Sequence, residues 1–137
     1  MEFFDSHAHY NDEKFNEDRE EIIENIYSSS VTRLINAGYS LKSSEIAFEI
    51  AKRYDWMYTI SGISPNDIPE NEEELNFQLN KLTNFINDKK DSKKIVAIGE
   101  IGLDYYWNKD NIDLQKEASI RQVEIANSMD LPVVIHT

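Results

Sequence analysis

The segment FFDSHAHYND, residues 3 to 12, puts two of the chain's three histidines one residue apart inside a short apolar run. In an extended strand side chains alternate between faces, so Asp5, His7 and His9 share one side while Phe4, Ser6 and Ala8 take the other. Two imidazoles side by side can hold a metal ion, although an isolated H-x-H also arises among ordinary surface histidines. The third histidine, His136, lies in the terminal stretch LPVVIHT, and a lone carboxylate, Glu100, interrupts the apolar run KIVAIGEIG. The chain has no cysteine, so any metal must be held by His, Asp or Glu, a donor set that suits zinc, manganese or iron, and a Glu can bridge two such ions. Two bridged ions would clamp a phosphoryl group and activate water near neutral pH.

The elements that must position these groups follow from turn signals and hydrophobic period. After the first strand, residues 16–29 place Ile22, Ile23, Ile26 and Tyr27 at helical spacing, with acids in the first turn where they suit the helix dipole. Residues 33–39 form a buried strand ended by Gly38; a helix capped by Ser43 follows, with Ile46, Ala47, Ile50, Ala51 and Tyr54 on one stripe. Residues 57–63 make a third strand, 70–88 a helix through Leu75, Leu79, Leu82 and Ile86, 94–102 a fourth strand, 112–129 a helix, and VVIHT a fifth strand. Strand and helix in strict alternation is the pattern of parallel βα units, here taken as one domain over residues 1–137. In such folds function gathers at the C-terminal ends of the strands. Every histidine falls at that rim, with Glu100 expected on the face shared with Val96 and Ile98 and buried among Ile98, Ile101 and Leu103. A carboxylate in such surroundings requires a charge partner.

Composition bounds the function. With 40% hydrophobic residues the chain reads as a globular protein with a real core. No apolar run approaches the roughly 20 residues of a membrane span. Met1 and Glu2 leave no room for a signal peptide before the first strand, so a cytoplasmic location and no membrane contact are expected. The 26 acidic and 14 basic residues give a net charge of −12, which disfavours nonspecific binding to a polyanion unless cations assist; Lys109 and Arg121 are the local candidates. Tyr105, Tyr106 and Trp107, just past the fourth strand, could stack on bases or pack against the fold.

DSHAHYNDEKFNEDREEII, then AIGEIGLDYY, then Gln122 and Ala126 ahead of LPVVIHT resemble the TatD family of metal-dependent deoxyribonucleases, themselves similar to amidohydrolase barrels. The resemblance implies a TIM-type (β/α)₈ barrel, a centre of two divalent ions (Mg, Mn or Zn), and hydrolysis of DNA, often exonucleolytic. It implies that His7 and His9 bind one ion, that Glu100 bridges both as the catalytic carboxylate, and that His136 binds the second. Asp5, Ser64, Asn66 and Asp104 are expected to support these ligands or touch substrate. The family's G-I-H-P-H loop here reads GISPND, so Ser64 and Asn66 stand where imidazoles are usual. A barrel typically needs ~250 residues, so this chain is expected to form an incomplete barrel of about five βα units, lacking the later His and Asp ligands. Its two open edges are expected to drive self-association or pairing with a missing C-terminal half. A hydrolase of a small substrate, favoured by the negative charge, and an inactive fragment serving as a binding module are the other readings.

Overall fold

The computed structural model describes all 137 residues. Five strands, β1 (Phe3–Ala8), β2 (Val31–Ala37), β3 (Met57–Ser61), β4 (Ile95–Gly102) and β5 (Val133–His136), alternate with four helices, α1 (Arg19–Ser28), α2 (Leu41–Ala51), α3 (Glu72–Lys89) and α4 (Ile112–Ser128). The strands form one sheet in the order β1-β2-β3-β4-β5, and every neighbouring pair is parallel. Spatial order therefore equals chain order, as crossover helices between adjacent parallel strands require.

Two apolar clusters hold the helices to the sheet. Leu75, Leu79, Leu82 and Ile86 of α3 meet Ala118 and Ala126 of α4 over Ile95, Ile98 and Ile101 of β4. Ile23 of α1 and Ile50 and Ala51 of α2 close over Leu34 and Met57. A third, smaller cluster joins Ala37, Ile60 and Ala97 to Val96 and Val134.

Two local expectations give way. Helix α2 begins at Leu41, three residues before the sequence-based start, because Ser40 rather than Ser43 is its cap. Ser40 is extended, at φ −145°, and its hydroxyl accepts from the Ser43 amide, while the Ser43 hydroxyl accepts from the Ser40 amide in a reciprocal capping box.

Strand β4 does not alternate simply. Its partners step from Thr59↔Ile95 to Ile60↔Ala97 on one side, and from Ile98↔Val133 to Ile101↔Ile135 on the other. Each step inserts one unmatched residue and reverses the face parity. Ile98 therefore joins Ile95 and Ile101 under the helices instead of sharing a face with Val96. Glu100 is consequently not embedded among Ile98, Ile101 and Leu103: Leu103 is exposed, and the Glu100 side chain remains 17% accessible at the strand-end rim.

Gly102 ends β4 at φ +144°, and a Cβ there would lie 2.9 Å from the His136 carbonyl oxygen. Only glycine combines that backbone conformation with so close an approach of β5.

The sheet is open at β1 and β5. Phe3 and Phe4 on β1, and Val133 and Ile135 on β5, are exposed. No helix is long and apolar enough to cross a membrane.

Candidate metal centre

The C-terminal ends of the strands bring the polar side chains together. His7 lies one residue before the end of β1 and His9 one residue beyond it, so the alternation of the extended chain turns both imidazoles the same way. Their Nε2 atoms lie 3.2 Å apart, with the ring planes at 84°. His9 Nδ1 is 2.9 Å from the Ala37 carbonyl oxygen. A carbonyl only accepts, so Nδ1 carries the hydrogen and Nε2 is the nitrogen turned to His7 and Glu100. The chain beyond His9 is held by the buried Asn36, whose Oδ1 accepts from the Tyr10 amide at 2.8 Å.

Glu100 stands between two sets of imidazoles. Its Oε2 is 3.5 Å from His7 Nε2 and 3.8 Å from His9 Nε2, whereas its Oε1 is 3.3 Å from His136 Nδ1. One ligand atom each from His7, His9 and Glu100 lie within 4.8 Å of one another, a group that could hold a metal ion. Donors at about 2.0–2.2 Å around a zinc-like ion are separated from each other by roughly 3–3.5 Å, so the observed spacings fit a common ion with little rearrangement. His136 stands outside that trio and joins it only through the second oxygen of Glu100.

His136 is held on its far side as well, with Nε2 2.9 Å from Asp104 Oδ2. Burial opposes its charged form, but hydrogen bonds to Asp104 and then Glu100 outweigh it and hold the His136 pKa above the ordinary imidazole value. The same contact leads the causes that lower the Asp104 pKa, with Asn66 and the Trp107 and Tyr106 amides adding to it. An ion beside His136 would compete with a proton for the same ring.

The remaining sequence-based candidates are placed as follows. Asp5 Oδ1 accepts from the His7 backbone amide at 3.1 Å and so shapes the strand rather than an imidazole; the orienting partner of His9 is the Ala37 carbonyl. Ser64 caps its own turn, donating to Asp67 Oδ2 at 2.5 Å and accepting from the Asn66 amide at 3.3 Å. Asn66 Nδ2 donates to Asp104 Oδ2 at 3.2 Å, which links the β3 loop to the β4 loop and, through it, to His136. Asp67 was not singled out by sequence: burial first, then the Glu100 charge, raise its pKa against the lowering bond from Ser64.

An open cleft of about 390 Å³ is lined by His9, Glu100, His136, Ser64, Asn66, Asp67, Asp12, Tyr39 and Lys14. Lys14 is the single lysine or arginine among them.

The supporting role of two buried glutamines on α4, Gln115 and the motif residue Gln122, escaped sequence reasoning, because it depends on loops distant in sequence. Gln115 Oε1 accepts from the Asp104 amide at 2.8 Å, and its Nε2 donates to the Asp104 and Asn108 carbonyls. Two helical turns on, Gln122 Oε1 accepts from the Ile63 amide at 2.8 Å and its Nε2 donates back to the Ile63 carbonyl at 3.0 Å. Each pairs like a peptide group with the backbone of one loop carrying site residues. A buried backbone group deprived of such a partner costs about 1–3 kcal/mol. Their seven-residue spacing, with apolar Ala118 and Ala126 on the same buried face, was the available signal.

The family model described as TatD related DNase matches residues 4–137. The chain is 37% identical over 134 residues to an uncharacterized metal-dependent hydrolase of Bacillus subtilis, YabD, covering 97% of this chain and 49% of that protein. It is 30% identical over 133 residues to a protein of Cronobacter sakazakii named 3'-5' ssDNA/RNA exonuclease TatD, with 97% and 48% covered. Among solved structures, the TatD homolog YJJV of Escherichia coli K12 superposes with a TM-score of 0.83 at 25% identity, covering 98% of this chain and 50% of that one. The chain spans about half the length of the curated relatives it matches, and its five strands correspond to part of a TIM-type barrel.

Proposed function

The chain belongs to the TatD-related DNase family, and from that premise we propose that it supplies the metal-binding half of a hydrolase that cleaves DNA phosphodiester bonds, working inward from a strand end. One observation carries this reading: Glu100 turns Oε2 to His7 and His9 and Oε1 to His136, the disposition of a carboxylate shared by two ions. When bound, two divalent ions such as Mg, Mn or Zn polarise the phosphoryl group and lower the pKa of the attacking water. The chain's own residues do the rest. His9 is fixed in the tautomer that offers Nε2, because Ala37 holds its Nδ1 hydrogen. Asp104 holds His136 in place and is held in turn by Asn66 and Gln115, so the second ligand position is set by three elements at once. The name of the Cronobacter relative supports an exonuclease acting on nucleic acid. The acidic residues Asp12 and Asp67 in the cleft, offset by Lys14 alone, favour a small substrate as the second reading.

The experiment uses the completed protein, with the second half of the barrel present on the same or a separate polypeptide. With Mg, Mn or Zn it should shorten an end-labelled oligonucleotide stepwise, and excess EDTA should stop it. No shortening with any of the three ions would overturn the nuclease reading and leave the small-substrate hydrolase.

The exposed edges lead to a further expectation. Phe3, Phe4, Val133 and Ile135 leave unpaired, apolar strands at both ends of the sheet. Such edges pair with other chains. We therefore propose that the 137-residue chain by itself associates with a second copy or captures a polypeptide carrying the rest of the barrel. Sedimentation equilibrium should give a mass above the 16.0 kDa monomer; a monomer at every concentration tested, both alone and mixed with a polypeptide carrying the rest of the barrel, would contradict it.

A further inference from the structure

The loop leaving β4 carries three aromatic side chains that the metal centre does not use, Tyr105 at 36% exposure and two that stand out further. Tyr106 is 80% exposed and Trp107 76%, and their rings meet edge to face, with centroids 4.8 Å apart and planes at 88°. Unlike Phe3, Phe4, Val133 and Ile135, they do not lie on the edge strands of the open sheet.

The backbone beneath them is held. Asp104 Oδ1 accepts from the Tyr106 amide at 3.0 Å and from the Trp107 amide at 3.3 Å, an Asx-type turn. The buried Gln115 ties both ends of the loop through Asp104 and Asn108. The other oxygen of the same carboxylate, Asp104 Oδ2, contacts His136 Nε2 at 2.9 Å. A single side chain thus fixes the aromatic loop relative to the metal-ligating imidazole.

Charge decides which part of a nucleic acid this loop can recognise. Between Leu103 and Asn111 its only cation is Lys109, set against Asp104 and Asp110, in a chain of net charge −12. Phosphate contacts depend on clustered Lys and Arg, which the loop lacks. Aromatic faces instead bind bases, whichever base is present, and need no positive charge. In a duplex those faces are already stacked on their neighbours, so the partner must be unpaired.

We propose that Tyr106 and Trp107 form a stacking platform for an unpaired nucleobase of the substrate strand, placed beside the metal centre by Asp104. The platform rests on the phosphodiesterase reading and adds to it the residues that would hold a base of the strand, an unpaired strand being what the Cronobacter relative is named for.

The test uses the 137-residue chain carrying Trp56→Phe, which leaves Trp107 as its single tryptophan. Trp56 packs between Tyr27 and Tyr54 away from the β4 loop, so its replacement leaves the platform untouched. In EDTA, where no strand is cut, oligothymidylate is titrated against an abasic strand of equal length and phosphate number. Removing a stacked base or its aromatic partner commonly weakens binding about 5- to 150-fold. Oligothymidylate should quench Trp107 and bind at least about tenfold more tightly than the abasic strand. Labelled strands followed by anisotropy should show that preference abolished in Tyr106→Ala with Trp107→Ala, and the melting temperature of that variant verifies its fold. Equal affinity for the two strands, a preference that survives in the double variant, or no binding of oligothymidylate overturns the platform. Hydrolysis by the completed protein is scored separately. Metal-dependent cutting of both strands without base preference would overturn the platform and leave the phosphodiesterase standing. Base preference in binding with no cutting under any ion would overturn the phosphodiesterase and leave the platform.

Discussion

Titration of this chain with Zn or Mn should give saturable binding that is weakened more than about 100-fold by His7→Ala with His9→Ala. The magnitude follows from what the pair supplies. The two Nε2 atoms, 3.2 Å apart, make up two of the three donors in the trio completed by Glu100. Loss of a group that merely supports a ligand commonly costs about 10- to 100-fold in metal affinity, so loss of two direct donors must exceed it. His136 cannot substitute, because it faces the other oxygen of Glu100, and Asp104 contacts the far side of His136. The alanine pair has a structural side effect: the Ala37 carbonyl, on a fully buried residue, loses the His9 Nδ1 donor. A second variant, His7→Ala with His9→Asn, removes both Nε2 ligands while an amide nitrogen can still donate to Ala37. Isothermal calorimetry on both variants measures the effect. Affinity unchanged in either folded variant would mean that the ion binds elsewhere, and the centre as described would be wrong.

The sequence exposed part of this arrangement and hid the rest for definable reasons. The βα alternation was legible because parallel strands buried on both faces read as continuous apolar runs, such as RLINA and KIVAI, separated by helices of clear period. The position of His7, His9 and His136 at one rim followed from the same strand ends. The parting of Ile98 from the Val96 face, on which both were expected beside Glu100, did not. Two inserted residues in the β4 pairing reverse the alternation, and a bulge is a property of two strands that one strand's pattern cannot reveal. Ser43 was mistaken for the α2 cap because either serine satisfies the preference; the two prove to cap reciprocally, with Ser40 outermost. Gln115 and Gln122 were invisible as supports, since their role depends on loops distant in sequence coming under the helix. The Ala37 carbonyl, which sets the His9 tautomer, carries no side-chain signature at all.

Glu100→Gln is the substitution that tests the two-ion arrangement most directly. Glutamine keeps the shape of the side chain and one carbonyl oxygen, so the packing at the end of β4 is retained. It removes the negative charge and replaces one of the two oxygens, Oε2 toward His7 and His9 or Oε1 toward His136, with an NH₂ that can only donate. If the carboxylate serves two cations, both lose charge compensation and one loses its donor atom, so metal occupancy falls and stabilisation of the developing phosphoryl charge falls with it. Deleting one electrostatic contact of this kind commonly costs about 10²- to 10³-fold in rate. The measurement is DNA hydrolysis by the completed protein, wild type against Glu100→Gln, at saturating Mg and again at saturating Mn. Saturation by both ions separates weaker binding from slower chemistry, because a variant that merely binds metal poorly regains its rate when the ion is in excess. Retention of more than about a tenth of the wild-type rate under both ions, against the larger loss expected, would show that Glu100 contributes packing or surface charge and would refute its role as a bridge.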